Sequence, residues 1–182
     1  MLVTGPILAL DLATNTGWCV GAPGGVPVLG TEKLPSTADD VGAFISAYNR
    51  WLLQTLCDTA PALVIYEQPS IFSKTTPATV IKLNGLASHT ELVCHDHVPR
   101  LKYRQVNPSR LKKFWTGNGR AEKSDMVAMA RRYGFAVTDD NQADAVSAWC
   151  YAVFCYAAPE HRRRFEGGPL AARPLVAEAS AA

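Results

Sequence analysis

Several features that would assign this chain to other classes of protein are missing from its sequence. It has no run of about 18 apolar residues, so we expect no transmembrane helix and no membrane partner. Its first twelve residues contain no basic side chain, and Asp11 interrupts their apolar run, so no signal peptide is predicted. The five cysteines form no C-x-x-C pair, which favours reduced thiols over disulfides or a zinc site. Together these absences predict a cytoplasmic protein.

The size and composition fit one folded domain. The chain has 182 residues, of which 48% are hydrophobic and 19% are charged, as in globular proteins. We expect the domain to cover residues 1–158. Residues 159–182, which are first basic and then rich in Ala, Pro and Gly, are predicted to form a C-terminal tail.

Positive charge is concentrated in one segment. Residues 100–132 contain ten Lys and Arg against two acids, whereas residues 1–99 contain four against eight. Such a segment is typical of a surface that faces a polyanion, although a charge run alone also fits an ordinary solvated helix face. The position of the acids elsewhere in the chain decides between the two.

Apolar periodicity and turn residues predict an α/β fold. The expected order is three strands forming an antiparallel meander, then a helix, a strand, a helix, a strand and three helices. This order predicts a mixed five-stranded sheet flanked by helices. The predicted strands are Ile7–Leu12, Trp18–Gly21, Val26–Leu34, Ala62–Tyr66 and Leu101–Val106; the predicted helices are one capped by Ser36 or Thr37, then Ala78–Cys94, Pro108–Trp115, Glu122–Tyr133 and Asp140–Cys155.

Three acids occupy apolar surroundings. Asp11 lies inside the first strand, Glu67 follows the fourth, and Asp144 lies near the start of the apolar last helix. A buried carboxylate is costly without a partner or a cation. Ordinary explanations exist for single residues, because Asp11 could cap a turn and Asp144 could favour a helix start. If the first and fourth strands are neighbours, however, Asp11 and Glu67 converge and the last helix could complete a cluster.

A carboxylate cluster of this kind points to metal-dependent phosphodiester chemistry. Like charges repel, so clustered carboxylates need a neutralising cation, and oxygen ligands suit Mg²⁺ or Mn²⁺. Two such ions, about 3.5–4 Å apart, activate water and stabilise the leaving oxygen in phosphodiester hydrolysis. With the basic segment holding phosphates, the pattern predicts a nuclease.

Four stretches of the chain carry a more specific pattern. Together, and in this order, they resemble the RuvC-type Holliday junction resolvases of the RNase H-like superfamily. The stretches are ILALDLATNTGW from Ile7, LVIYEQP from Leu63, VNPSRLKK from Val106 through TGNGRAEK ending at Lys123, and DDNQADA from Asp139. The resemblance implies an RNase H-like sheet and a structure-selective endonuclease that cleaves four-way junctions and leaves 5′-phosphate and 3′-hydroxyl ends.

The resemblance also assigns roles to the acids. It implies that Asp11, Glu67 and Asp144 are metal ligands for two Mg²⁺ or Mn²⁺ ions. The family has a further acid or His one helical turn before the last Asp. Here Asn141 holds that position with Asp140 beside it, and either one can serve as a peripheral ligand. Asp139 is interpreted as a solvated acid.

Basic and aromatic residues receive DNA-binding roles from the same resemblance. Lys112 and Lys123 match phosphate-contacting lysines, and Lys123 is also predicted to act near the scissile strand. Lys113 and Arg120 are candidates for general backbone contacts. In the loop after Glu67, Phe72 is the candidate for a wedge between base pairs, with Lys74 beside it. Packing of Phe72 onto the domain is an equal alternative.

One departure from the family leaves the substrate open. The chain has Asp11-Leu-Ala where bacterial members usually have Asp-Pro-Gly, which is closer to phage-encoded or divergent members. Flaps, forks, RNA or RNA–DNA hybrids are therefore alternative substrates, and a non-catalytic junction-binding module is a further alternative. A two-fold junction needs two sites, so a homodimer is predicted. An ATP-using protein of the sugar-kinase and actin type is not expected, because that fold needs two such domains and 182 residues are too few.

Overall fold

A computed structural model of the chain describes residues 2–35, 40–70 and 76–165. The strands are β1 (Ile7–Asp11), β2 (Asn15–Gly21), β3 (Val28–Lys33), β4 (Leu63–Glu67) and β5 (Tyr103–Val106). The helices are α1 (Val41–Thr59), α2 (Pro77–Asp96), α3 (Pro108–Thr116), α4 (Lys123–Arg132), α5 (Asp140–Tyr156) and α6 (Pro159–Arg162), followed by a 3₁₀ turn at Arg163–Phe165. In these ranges no helix is long and apolar enough to cross a membrane.

The strands form one mixed five-stranded sheet in the order β3-β2-β1-β4-β5. β1, β2 and β3 make the predicted antiparallel meander, and β4 and β5 continue the sheet in parallel with β1. Within the β1–β4 ladder Leu10 lies opposite Tyr66. The predicted fold class is thus confirmed, and the register brings the ends of β1 and β4 to one edge of the sheet.

The two faces of the sheet are covered by different helices. Side chains alternate along a strand, so Leu8 and Leu10 of β1 join the core beneath α1 and α2. Ile7 and Ala9 point the other way, into the core formed with α3, α4 and α5. α5 packs directly across β1 and β2, which explains why nearly all of it is apolar.

Glu91 on α2 links β4 and β5 to the helical layer formed by α1 and α2. It accepts hydrogen bonds from the hydroxyls of Tyr66 on β4 and Tyr103 on β5, and from the amide of Gln105. Burial, together with the Glu91 hydrogen bond, raises the pKa of Tyr66, so this hydroxyl stays protonated and donates. Tyr103 and Gln105 therefore face α2, and the residues between them face the opposite side.

Some element boundaries differ from the predicted ones. α1 begins at Val41 and is capped by Asp40, whose carboxylate accepts from the Ala43 amide. The predicted caps Ser36 and Thr37 lie outside the described residues. β2 starts at Asn15 rather than Trp18, because its ladder with β3 extends that far.

Folded structure continues beyond residue 158. Residues 159–165, assigned to the tail from the sequence, form α6 and the 3₁₀ turn. Phe165 is 3% exposed, and its ring lies 6.1 Å from that of Phe114 and 6.4 Å from that of Tyr133. The core thus includes an aromatic side chain from the segment that the sequence assigned to the tail.

We expect Phe165→Ala to lower the free energy of unfolding by about 3 kcal/mol, the usual cost of emptying a buried phenylalanine site. The matched control is Phe154→Ala, because Phe154 also packs on Phe114 but is 37% exposed. Urea unfolding of both variants measures the difference. Equal losses would mean that Phe165 adds no more to the core than a surface ring.

Candidate active site

The ends of β1 and β4 place two carboxylates side by side. Asp11 directly follows Leu10, and Glu67 directly follows its partner Tyr66 in the parallel ladder. Both acids have the parity of the residues that point toward α5. Because parallel strands lie about 4.8 Å apart, the register alone sets these two acids next to each other. The convergence of Asp11 and Glu67 that we expected from the sequence follows from this pairing.

α5 carries the third acid to the same edge. Its approach is very close at Gly17 on β2, the residue that pairs with Asp11. A Cβ atom added at Gly17 would lie 2.0 Å from the carbonyl oxygen of Asn141, so only glycine leaves room for the helix. This contact sets the first turn of α5, and with it Asp144, over the end of β1.

A hydrogen-bond network fixes the start of α5. Asp139 caps the helix by accepting from the Gln142 amide, and its second oxygen accepts from the Thr31 hydroxyl on β3 at 2.7 Å. The Gln142 side chain in turn donates to Thr31 and accepts from the Thr138 amide. Interpreting Asp139 as a solvated acid was therefore wrong. The capping role of Asp139 could have been predicted, because an Asp directly before an apolar helix is a common cap. Its hydrogen bond with Thr31 could not, because Thr31 is distant in sequence.

One cavity of about 290 Å³ gathers most of the predicted site. It opens where β1, β4, α3, α4 and α5 meet. Among its lining residues are the three acids and three predicted partners: Asp11, Glu67, Asp144, Asn141, Lys112 and Lys123. Residues from five separate elements thus contribute polar groups to one space.

The acids in this cavity are hard to ionise. Burial raises the pKa of Asp11 well above its ordinary value, and the charges of Asp144 and Glu67 raise it further. Burial, and then Asp144, raises the pKa of Glu67 to about 7, although Lys112 opposes this. Burial raises the pKa of Asp144 to about 6. The protein surroundings alone therefore do not stabilise the ionised form of these three carboxyl groups.

The donor set fits a hard divalent cation. Asp144 Oδ1 is buried and has no hydrogen-bond partner, which is costly for a carboxylate oxygen. Carboxylate oxygens and the amide oxygen of Asn141 are the ligand types that Mg²⁺ and Mn²⁺ prefer. Across residues 2–35, 40–70 and 76–165, however, no three acids, histidines or cysteines are already drawn together at ligand spacing. The chemical types of these residues therefore fit such an ion, and Asp11, Glu67, Asp144 and Asn141 are the residues that would hold it.

Two lysines border the acids in different ways. Lys112 on α3 lines the cavity, and its charge lowers the pKa of both Glu67 and Asp144. Lys123, at the start of α4, forms an ion pair with Asp140, which raises the lysine pKa and lowers that of the aspartate. Asp140 thus engages Lys123, whereas its neighbour Asn141 lines the cavity.

Four predicted DNA-binding residues remain: Lys113, Arg120, Phe72 and Lys74. Lys113 and Arg120 are exposed and outside the described lining of the cavity. The wedge candidate Phe72 and its neighbour Lys74 fall in residues 71–75, outside the described residues.

The chain resembles known proteins in its three-dimensional structure, but no similarity was found at the level of sequence. No protein-family model matches the chain, and no curated protein matches its sequence. Among solved structures, RuvC from Thermus thermophilus in complex with a Holliday junction substrate aligns with a TM-score of 0.64 at 18% identity, covering 82% of this chain and 94% of that one. The yeast mitochondrial Holliday junction resolvase aligns with a TM-score of 0.62 at 15% identity, covering 82% and 78%.

This chain has the RuvC-like, RNase H-type fold. A viral structure, the fowlpox virus resolvase with its junction DNA, aligns more distantly, with a TM-score of 0.51 at 12% identity over 81% of this chain and 96% of that one. The RuvC-like order of strands and helices agrees with the order predicted from the sequence. At these identities the likeness establishes the fold, and the chemistry has to be argued from the cavity itself.

We expect Gly17→Ala to push the first turn of α5 away from β2 and to lower the free energy of unfolding by about 1–3 kcal/mol, as overpacking does. Metal affinity should fall as well, because Asp144 moves with the helix. Calorimetry with Mn²⁺ and urea unfolding measure the two effects. Gly25→Ala is the control, since its added Cβ would meet only the Ala22 carbonyl oxygen at an ordinary 3.6 Å. A Gly17→Ala variant with unchanged stability would contradict the close packing.

The raised pKa values predict that the free energy of unfolding depends on pH. Since the pKa of Glu67 rises from 4.5 to about 7 on folding, the folded chain holds the proton over a range in which the unfolded chain loses it. The free energy of unfolding therefore decreases as pH rises through that range. In EDTA, Glu67→Gln should become increasingly more stable than the wild type between pH 5 and pH 8, as measured by Tm.

Added Mg²⁺ should reverse the difference at pH 8, because the ion stabilises only the wild-type cluster. A gap in Tm that stays constant across this pH range would show that Glu67 is not held in its protonated form.

Proposed function

We propose that this protein is a metal-dependent endonuclease that cleaves Holliday junctions and related branched DNA. One observation carries the proposal. Asp11, Glu67 and Asp144, from three separate elements, line one cavity in which Asp144 Oδ1 is buried without a partner, beside Lys112 and Lys123. An arrangement that is electrostatically unfavourable on its own fits a site that is completed by cations and a phosphate.

The chemistry divides between the ions and the chain. When bound, two Mg²⁺ or Mn²⁺ ions would supply a hydroxide equivalent at neutral pH and stabilise the leaving 3′ oxygen, giving 5′-phosphate and 3′-hydroxyl ends. Asp11, Glu67 and Asp144 would hold the ions, and the amide oxygen of Asn141 would be a peripheral ligand. Burial in the cavity keeps these groups in a fixed geometry.

The lysines have complementary roles in this proposal. Lys112 would hold a phosphate of the cleaved strand close to the carboxylates, since its charge already acts on two of them. Asp140 would position Lys123 through their ion pair, and Lys123 is one of the residues that line the cavity. Lys123 would contact the scissile phosphate from there and balance its charge as the bond breaks.

The choice of substrate rests on the RuvC-like fold. Two solved neighbours with this fold are complexes with Holliday junctions. A four-way junction has two-fold symmetry, and symmetric cleavage needs two active sites, so we infer that the protein acts as a homodimer. Flaps and RNA–DNA hybrids are the competing substrates and belong in the same assay.

Asp11→Asn should abolish metal-dependent cleavage of a labelled four-way junction, with a loss of about 100-fold or more, since even residues that only orient metal ligands cost 10–100-fold. The assay compares junction, flap, linear duplex and RNA–DNA hybrid in Mg²⁺, Mn²⁺ and EDTA. Asp58→Asn is the matched control, because Asp58 is an exposed acid on α1 that accepts a hydrogen bond from the Gln54 side chain.

The outcomes distinguish a junction nuclease from a nuclease with another substrate and from a binding module. Paired junction nicks that need metal and vanish in Asp11→Asn, with Asp58→Asn active, support the proposal. Cutting mainly a flap or hybrid would keep the mechanism and replace the substrate. Tight, metal-independent junction binding without any cleavage would show a binding module and refute the nuclease.

A further inference from the structure

The basic segment of the sequence is divided by the fold into two parts. One part, on α3 and α4, includes Lys112 and Lys123 at the cavity. The other precedes and forms β5, the strand at the outer edge of the sheet. It consists of Arg100, Lys102 and Arg104, all exposed, and we refer to these three residues as the edge cations.

The strand geometry sets the direction of two edge cations. Tyr103 and Gln105 face α2, where both donate to Glu91. Arg104 lies between them in the strand and therefore faces the other side, which is the side of α3 and the cavity, and Lys102, directly before the strand, has the same parity. Val106, of the same parity, packs into the core beneath α3. β5 packs chiefly on β4 among the described elements, so the surface around Lys102 and Arg104 is left uncovered.

These charges have no acidic partner in the described part of the chain. The one ion pair found there joins Lys123 and Asp140, at the cavity. Arg104 donates to the Tyr103 carbonyl oxygen, which leaves its charge unneutralised. Arg100, Lys102 and Arg104 also line one open groove of about 450 Å³ along the strand. A row of unpaired cations in a groove is complementary to a phosphate backbone.

The row leads away from the cavity at a distance that DNA can span. Val106 pairs with Glu67, and Lys102 lies four residues earlier, with its carbonyl still bonded to the Val64 amide. At about 3.3 Å per residue, Lys102 is about 13 Å from the level of Glu67 along the strand. That length corresponds to about four base pairs of duplex at 3.4 Å each.

We propose that one duplex arm of the branched substrate lies along the β5 edge and that the edge cations contact its phosphates about two to six base pairs from the cut. This inference rests on the proposed function, since it extends the contacts of the same site. It identifies the bound part of the substrate as double-stranded DNA beyond the branch point. A second reason for cations on an edge strand is to prevent pairing with another chain, and the test separates the two.

The test measures junction binding in Ca²⁺ as a function of salt for wild type and Lys102→Gln/Arg104→Gln. Each lost phosphate contact lowers the slope of log affinity against log salt by about 0.9, so the double variant should lose nearly two units of slope and about 10-fold in affinity at low salt. The matched control, Arg50→Gln/Lys82→Gln, removes two positive charges from the α1–α2 layer on the opposite face and should keep the wild-type slope.

A second measurement locates the contact on the DNA. Neutral methylphosphonates replace the phosphates two to six base pairs from the cut. This change should weaken binding of the wild type and leave the already weakened double variant unaffected. Circular dichroism and Tm establish that every variant is folded.

The results separate this inference from the proposed function. If the wild type cuts the junction while the double variant keeps the full salt slope, the edge contact is wrong and the nuclease stands. If the double variant keeps that slope and forms oligomers, the edge cations only protect the strand. If the wild type neither binds nor cuts branched DNA, both proposals fail.

Discussion

The contact between α5 and the first residues of β2 determines whether this fold has a site at all. The carbonyl of Asn141 approaches Gly17 so closely that any other residue at this position would clash with it. Asp139 links the same turn of α5 to β3 by accepting a hydrogen bond from Thr31. Asp144 follows one turn later and therefore stands over the pair formed by the β-ladder. Register fixes two acids, and helix packing fixes the third. The close packing of the backbone thus determines where the cavity lies, independently of the charges that line it.

Charge then decides what the cavity can do. A folded protein rarely retains buried acids that raise each other's pKa unless a ligand offsets the cost. Lys112 offsets part of it for Glu67 and Asp144, and Lys123 is largely engaged by Asp140. A bound cation would offset the remaining cost of ionising these buried carboxyl groups. Under the proposed function, that cation would also assist the reaction on the phosphate.

Much of this could be predicted from the sequence, for identifiable reasons. The apolar runs ending in Asp11 and Glu67 gave the strands, and the sheet order followed from the alternation of elements. β2 begins three residues earlier than predicted and α1 begins after its predicted caps, because ladder length and capping depend on partners that local propensity does not contain. Thr31 could not be predicted, since its role depends on a fold contact across more than a hundred residues. Phe165 was assigned to the tail because Ala, Pro and Arg around it mask a single buried ring.

The order of the elements along the chain has a consequence for synthesis. β1 and β4 leave the ribosome early, whereas α5, which crosses both β1 and β2, is made last among the long elements. The carboxylates at the strand ends therefore remain exposed and hydrated until residue 156 has emerged and α5 can dock. Contacts of such long sequence separation form late in folding. Under the proposed function, an unfinished chain thus has no assembled cation site and would not nick nucleic acid near the place where it is made.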